Sequence, residues 1–379
     1  MRSLIKIGVP VVAAALALSA CGGTTGDNTG SGGSKNCDLK IGYFGALTGD
    51  AANLGINIKN GVELAVNQYN EKNSSCKVAL VSFDSQGDPS IAPGLAQKAV
   101  TDKKLVGIVG PAFSGESKAA DPIFDKAGLN IITASATNPA LSENGWKTFH
   151  RILGNDATQG PAAAKYIKDI LKADKVFVSD DTSEYGKGLA DIVKKDLGSA
   201  VVATDQTAAD GKQDDFSPTV TKAKASGASV FFYGGYYSNA SKLVKQLKDG
   251  GFTGTFVAAD GVKDDGFIKA AGAAAEGAVV TCPCIPPDEA PDFAAAYKKA
   301  YNTDPATYSA EAFDAANVFL DGIKAGKTTW SDMNAFVGSY DKQGVTKHIK
   351  FDSKGEPAAV SVWAYKVQDG KIVKDQEIK

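Results

Sequence analysis

Short apolar runs recur along this 379-residue chain at intervals that leave room for one amphipathic segment between neighbours. They are Leu39 to Phe44, Val78 to Phe83, Leu105 to Val109 and Asn130 to Thr133, then Val176 to Ser179, Val201 to Asp205, Ser229 to Tyr233, Thr255 to Ala258 and Gly277 to Thr281. Runs this short, rich in β-branched residues and undivided by polar positions suit parallel strands buried on both faces. Between them Ile58, Val62, Ala65 and Tyr69, and again Ala240, Leu243, Val244 and Leu247, fall at the three-and-four spacing of a helix face. Pro161 suits a first helical position ahead of Ala163, Ile167 and Ile170. The alternation of strand and helix predicts α/β layers joined by right-handed crossovers.

The rhythm breaks in the last hundred residues or so. Pro291 to Tyr301 and Glu311 to Lys324 read as consecutive helices, and Val360 to Val367 with Lys371 to Lys374 reads as a closing hairpin. One α/β set ends near Asn155 and a second runs from about Lys165 to Cys282. A body of roughly 340 residues also exceeds the size at which a single core keeps growing. Two similar lobes are therefore expected.

The N-terminus sets an address. Arg2 and Lys6 precede the apolar stretch Ile7 to Leu18, which ends in Leu18-Ser19-Ala20-Cys21. That is the layout of a secretory signal, and it is shorter than the about 20 apolar residues a spanning helix needs. Residues 22–36 are almost entirely Gly, Ser, Thr, Asn and Asp, which suits a flexible tether with a root-mean-square span of roughly 22 Å. Removing Arg2 and Lys6 leaves 39 basic against 43 acidic residues, a balance that disfavours nucleic acid as a partner.

Cysteine usage agrees with export. Beyond Cys21 the chain carries Cys37, Cys76, Cys282 and Cys284, an even set suited to an oxidising compartment. Cys37 and Cys76 each sit just ahead of an apolar run. If those runs are neighbouring parallel strands, both thiols lie at one edge of the sheet, and a disulfide between them is expected. For Cys282-Pro283-Cys284 both a bridge and separate thiols stay open, because a bridge across one residue departs from usual disulfide geometry.

Traces of catalysis are thin. The two histidines, His150 and His348, have no companion ligand at metal spacing. Ser114, in Gly110-Pro-Ala-Phe-Ser-Gly-Glu-Ser117, follows a strand and precedes a helix but lacks the Gly-x-Ser-x-Gly spacing of a nucleophile elbow. Gly42-Tyr-Phe-Gly-Ala-Leu-Thr-Gly49 does not match Gly-x-Gly-x-x-Gly. No enzyme, cofactor or metal is expected.

The strand ends instead offer binding groups, where ligands collect in open α/β sheets. Ser114, then Ser135, Ala136 and Thr137, then Tyr185, Tyr236 and Asp260 each follow a strand within a few residues. Hydroxyls and backbone N–H groups at helix starts host a carboxylate. Asp260 accepts from an ammonium group, and the two tyrosines supply apolar walls with polar tips. Together they describe a site for a zwitterion. Singly, Ser114 and Thr137 also suit helix caps, Asp260 a turn before Gly261, and Tyr236 a packed loop position.

These residues fall within stretches that resemble the branched-chain amino-acid-binding proteins of ABC importers, the leucine/isoleucine/valine type. The stretches are Gly45-Ala-Leu-Thr-Gly49 with Gly55, Thr133-Ala-Ser-Ala-Thr137, Asp156-Ala-Thr-Gln-Gly-Pro161 leading into Ala164-Lys-Tyr-Ile167, and Tyr185-Gly-Lys-Gly-Leu189. Further on come Phe216-Ser217, Tyr233-Gly-Gly-Tyr236, Asp260-Gly261-Val262, Glu276-Gly277 and Phe351-Asp352-Ser-Lys-Gly355. The resemblance spans Leu39 to Gly370. Leu18-Ser19-Ala20-Cys21 likewise resembles a bacterial lipobox, which implies that Cys21 is lipidated and becomes the first mature residue.

The resemblance implies a two-lobed periplasmic-binding fold of type I, each lobe a parallel sheet flanked by helices, joined by three crossovers near Gly154 to Asp156, Cys284 to Pro287 and Lys347 to Phe351. The expected organisation is a signal peptide at 1–20, a tether at 21–36, one lobe of 37–155 with 285–348, and another of 156–284 with 349–379. Ser114 and Ser135-Ala136-Thr137 match positions that hold the α-carboxylate and, through a carbonyl, the α-ammonium. Tyr185 and Tyr236 match contacts of the second lobe, and Leu54 lies where the side-chain pocket is lined. Asp260 stands where family members carry Glu, one methylene longer. The family disulfide joins other loops, so Cys37 with Cys76 rests on the strand-edge argument alone.

The expected function is an extracytoplasmic, lipid-anchored, monomeric binding protein that delivers a branched-chain or similar amino acid to an ABC permease. Alternatives are the same fold serving an amide, urea or aromatic acid, or a sensor that passes a signal without transport.

Overall fold

The computed structural model describes residues 37–208, 211 and 213–379. Cys21, the signal segment 1–20 and the tether 21–36 lie outside the described residues, except that the tether borders Cys37.

The first half alternates strand and helix: β1 (Leu39–Gly45), α1 (Ala52–Lys72), β2 (Val78–Asp84), α2 (Ala92–Thr101), β3 (Leu105–Val109), α3 (Ser114–Ala127), β4 (Ile131–Thr133) and β5 (Phe149–Arg151). Then come α4 (Asp156–Lys165), β6 (Val176–Asp180), α5 (Glu184–Leu197), β7 (Val201–Gln206), α6 (Ser217–Ala225), β8 (Val230–Gly234), α7 (Tyr237–Asp249), β9 (Thr255–Ala258), α8 (Asp265–Ala271) and β10 (Val279–Cys282). The remainder is α9 (Pro291–Tyr301), α10 (Ser309–Lys324), α11 (Trp330–Gly338), β11 (Asp341–Gln343), β12 (His348–Lys350), β13 (Trp363–Gln368) and β14 (Lys371–Glu377).

Two sheets result. The first has the order β2-β1-β3-β4-β5 and is parallel throughout. The second has the order β14-β13-β10-β9-β8-β6-β7. Its strands β6 to β10 are parallel, but β13 and β14 are antiparallel to their neighbours, so the second sheet is mixed rather than parallel. In each sheet the chain starts at an inner strand, steps outward to one side and then returns to extend the other. That reversal creates a crevice outside the carboxyl ends of β1 and β3 in one sheet and of β6 and β8 in the other.

Strands are buried as the undivided apolar runs predict: every residue of β3, β6 and β8 is buried. Helices α9 to α11 return to the first sheet, with α10 packed on α1 and β3. The approach is close at Gly61, where a Cβ would stand 2.1 Å from the Ser309 carbonyl oxygen. The chain thus passes three times between the two layers, after β5, after β10 and before β13.

Three local features depart from expectation. Pro161 lies inside α4 instead of opening it, because the Asn155 side chain accepts from Ala157 N at 3.0 Å and starts the helix at Asp156. The segment Tyr166–Ile170 is a π-helical turn that follows directly. Strand β5 and helix α11 were not anticipated: three residues, Phe149, His150 and Arg151, are too few to show a period.

Both cysteine pairs are bridged, Cys37 to Cys76 and Cys282 to Cys284. Leu39 of β1 is in register with Val78 of β2. Two residues upstream on each strand stand Cys37 and Cys76, with Cα atoms 4.6 Å apart, as the strand-edge argument requires.

Candidate functional site

The carboxyl ends of the strands in both sheets open onto one cavity of about 300 Å³. From the first sheet's side, α1 lays Leu54 and Ile58 against it, one turn apart on the helix face that also carries Val62. The loop leaving β3 brings Ala112 and Phe113 to the wall and enters α3 at Ser114. Ser114 Oγ accepts from Asn138 N at 3.2 Å, and Ser135 Oγ donates to the Ala112 carbonyl at 2.6 Å. The two loops are thereby tied together beneath the cavity.

From the second sheet's side come Tyr185 in the first turn of α5, Tyr236 just ahead of α7, and Asp260 with Gly261 after β9. Tyr236 stacks between partners of both layers. Its ring centroid lies 5.4 Å from that of Phe113, edge to face, and 5.1 Å from that of Tyr185. Such contacts give the rings fixed positions.

Asp260 is 3% exposed and densely held. Tyr185 Oη donates to its Oδ1 at 2.7 Å, and Gln159 Nε2 donates to the same oxygen. Gln159 also donates to Asp156 Oδ1 at 3.4 Å. The buried Tyr308 hydroxyl stands close enough to favour ionised Asp260 but outside hydrogen-bond geometry. Burial pushes the Asp260 carboxyl up against the pull of Gln159 and Tyr185. Burial, then the charge of Asp260, pushes Asp156 well above the carboxylate range. Among the described residues the Arg151 charge acts on Asp156 but no cation acts on Asp260, and an added ammonium group in the cavity would relieve Asp260.

The opposite character meets this at α3. Its 14 residues start at Ser114, and a helix start with its dipole and N–H groups favours a carboxylate. Leu54 and Ile58 supply an aliphatic part of the cavity wall.

Of the residues singled out in the sequence, the structure brings Leu54, Ser114, Ser135, Tyr185, Tyr236 and Asp260 to this cavity. Ala136 and Thr137 are buried behind it. The Ala136 carbonyl accepts from Arg151 Nη1 at 2.9 Å, and the Thr137 carbonyl accepts from Asp156 N at 2.9 Å. Ile58, Ala112, Phe113, Gly261 and Tyr308 line the cavity without having been singled out for it. Phe113 and Gly261 adjoin chosen residues and were within reach of the same reasoning. Tyr308 follows no strand, and its backbone is left-handed (φ 67°) at the entry to α10; nothing local marks it.

The chain matches the model of a periplasmic binding protein family over residues 38–371. It is 30% identical over 360 residues to the Leu/Ile/Val-binding protein homolog 1 of Brucella suis biovar 1, covering 89% of this chain and 93% of that one. A leucine-binding protein of Thermotoga maritima superposes with a TM-score of 0.82 at 26% identity, over 90% of this chain and 99% of that chain. The substrate-binding protein of a branched-chain amino acid transporter of Streptococcus pneumoniae, in complex with isoleucine, gives a TM-score of 0.82 at 27% identity, over 89% and 99%.

Proposed function

The chain belongs to the periplasmic binding protein family, and from that membership we propose that it captures a branched-chain amino acid between its two lobes and delivers it to an ABC permease. One observation carries the reading: a buried carboxylate, Asp260, fixed by Tyr185 and Gln159, lines the same cavity as the aliphatic side chains of Leu54 and Ile58. Asp260 takes the α-ammonium. The start of α3 with Ser114 takes the α-carboxylate, and the side chain lies on Leu54 and Ile58. Ser135 faces the solute, while Ala136 and Thr137 hold that segment in place through Arg151 and Asp156. The relatives support a branched-chain solute: they are named for leucine, isoleucine and valine, and one holds isoleucine.

Closure is a hinge movement of one lobe, 37–155 with 285–348, against the other, 156–284 with 349–379. Strand membership supports this division, since β1 to β5 and β6 to β10 fall on either side of it. Export and diacylation at Cys21 keep the protein, as a monomer, on the membrane beside its permease. Two acyl chains suffice for stable anchoring, and Cys21→Ala is expected to move the protein from the membrane fraction to the soluble one.

The deciding experiment is a thermal-shift screen over the twenty amino acids. A ligand at 100 times its dissociation constant adds about 2.7 kcal/mol of stability, so leucine, isoleucine or valine should raise the midpoint by several degrees. A flat response to all twenty would overturn the reading.

A further inference from the structure

All four polar groups of Asn138 are engaged. Its N–H donates to Ser114 Oγ at 3.2 Å, and its carbonyl accepts from Arg151 Nη2 at 3.0 Å. Its Oδ1 accepts from Ala140 N at 2.9 Å, and its Nδ2 donates to the Glu184 carbonyl at 2.7 Å. Ala140 N can only donate and the Glu184 carbonyl can only accept, so the orientation of the amide is fixed. The residue is 6% exposed. Through it the loop that follows β4 in the first sheet meets the first turn of α5, which follows β6 in the second.

These partners belong to the two ends of the proposed site. Ser114 opens α3, whose start takes the solute's carboxylate. Glu184 directly precedes Tyr185, whose hydroxyl donates to Asp260 at 2.7 Å, and Asp260 takes the ammonium. One buried side chain therefore joins the element at one end to the element at the other. The fit is close on the α5 side. Gly188 lies one turn beyond Glu184, and a Cβ there would stand 2.9 Å from Asn138 Nδ2. Glycine weakens a helix interior relative to alanine, and at Gly188 it leaves room for the amide. Lys118 of α3 also reaches Glu184, Nζ to Oε2 at 2.8 Å, but its side chain is 63% exposed, and a pair so open to water holds a distance weakly.

We propose that Asn138 is a positioning residue that sets the span between the two ends of the site and thereby selects α-amino acids over β-amino acids. A β-amino acid carries one more carbon between ammonium and carboxylate, so it pairs at both ends only when α3 and α5 move apart. The bonds from Asn138 to Ser114 and to Glu184 resist that movement, since breaking either leaves a buried donor unpaired. Asn138 has this role only if the cavity holds an amino acid as proposed above.

The test compares leucine with 3-amino-4-methylpentanoate, its isomer with one more carbon between the charged ends, by calorimetric titration. The unaltered protein should prefer leucine by about ten- to two-hundred-fold, the range that one extra methylene commands in a fitted pocket. Asn138→Ser keeps a cap for Ala140 N but is too short to reach Glu184, and Gly188→Ala displaces the amide without altering Asn138. Each should narrow the preference by about two- to ten-fold, as loss of one neutral hydrogen bond does, with leucine affinity falling and that of the isomer unchanged or higher. A purely structural role would lower both affinities alike, so an unchanged ratio in either folded variant overturns the proposal. Should Asn138→Ser fail to fold, Gly188→Ala decides, since alanine favours the interior of a helix over glycine. Equal binding of the two compounds by the unaltered protein overturns the role of Asn138 alone, whereas binding of neither overturns the amino-acid reading of the cavity and this role with it.

Discussion

The Tyr185 phenol donates to the Asp260 carboxylate at 2.7 Å and, through the same oxygen, accepts the N–H of Gly261 at 3.1 Å. One hydroxyl thus fixes both the buried carboxylate and the backbone turn that carries it. Gly261 leaves no room for adjustment, since a Cβ there would stand 2.7 Å from the Gly235 carbonyl oxygen and 2.8 Å from the Tyr185 ring. Tyr185→Phe keeps the ring between Tyr236 and the turn but removes the donor. Hydrogen bonds to charged groups contribute about 1.5–3 kcal/mol, which corresponds to a loss of about ten- to hundred-fold in leucine affinity. Asp260→Ala should abolish binding. Calorimetric titration checks both, and unchanged affinity in Tyr185→Phe would show that Gln159 alone suffices to hold the carboxylate.

A second set of contacts crosses between the layers at the cavity rim. Asn53 and Asn57, successive on one face of α1, donate from Nδ2 to Asp264 Oδ1 at 3.2 Å and Oδ2 at 3.3 Å. Asp264 also caps α8, accepting from Gly266 N at 2.7 Å, so the asparagines are the cleaner targets. Opening the lobes would break both bonds. Asn57→Ala should therefore weaken solute binding by about two- to ten-fold, from a hydrogen bond of about 0.5–1.5 kcal/mol. The change should appear in the dissociation rate measured by stopped flow, with association nearly constant. A loss carried by the association rate instead would assign Asn57 to solute entry.

What was legible in the sequence follows from burial. Strands such as Leu105–Val109 and Val230–Gly234 are buried at every residue, so their apolar runs stand out without any partner being known. The site residues that follow such strands, Ser114, Tyr185 and Asp260 among them, inherit that legibility because strand ends converge. Ala136 and Thr137 shared the position but not the exposure to the cavity: Arg151, arriving from the edge strand β5, draws the Ala136 carbonyl to itself. Tyr308 and Gln159 were illegible for a different reason. Gln159 bonds Asp260 from within α4 and Tyr308 stands near it at the entry to α10, and neither directly follows a strand. The mixed end of the second sheet was readable as a hairpin, but not its attachment to β10, which is a long-range pairing.

The Cys37–Cys76 bridge clamps the ends of β1 and β2 opposite to those that carry the site. It closes a loop with a sequence separation of 39, for which the loss of unfolded-chain entropy corresponds to about 4 kcal/mol, with measured effects usually about 2–4. The double variant Cys37→Ser with Cys76→Ser should be less stable by that amount in denaturant unfolding. Its solute affinity should be unchanged, because Leu54, Ser114 and Asp260 lie at the far end of the layers. Equal loss of affinity would mean that β1 transmits the change to α1.

His150, on the edge strand β5, sets a pH dependence of opposite sign to that of the buried carboxyl groups. It is 5% exposed, with Asn130 Nδ2 at 3.4 Å from its Nδ1 and the Phe351 ring centroid 4.9 Å away. Burial pushes its pKa down to about 4, against about 6.5 in an unfolded chain. Between these values the unfolded chain binds a proton that the folded one refuses. The contribution of neutral His150 is therefore fully present above about pH 6.5 and is lost as pH falls towards 4, to an extent of about 3 kcal/mol. Below pH 4 both forms are protonated and the loss stops growing. Carboxyl groups titrate in the same range, but they are common to the parent and to His150→Gln and cancel in the difference. Unfolding free energies of the two proteins, measured from pH 7 to pH 4, should diverge on acidification, the parent losing stability relative to the variant. Parallel curves would show that the folded protein accommodates a charged His150, with Asn130 or water solvating the ring.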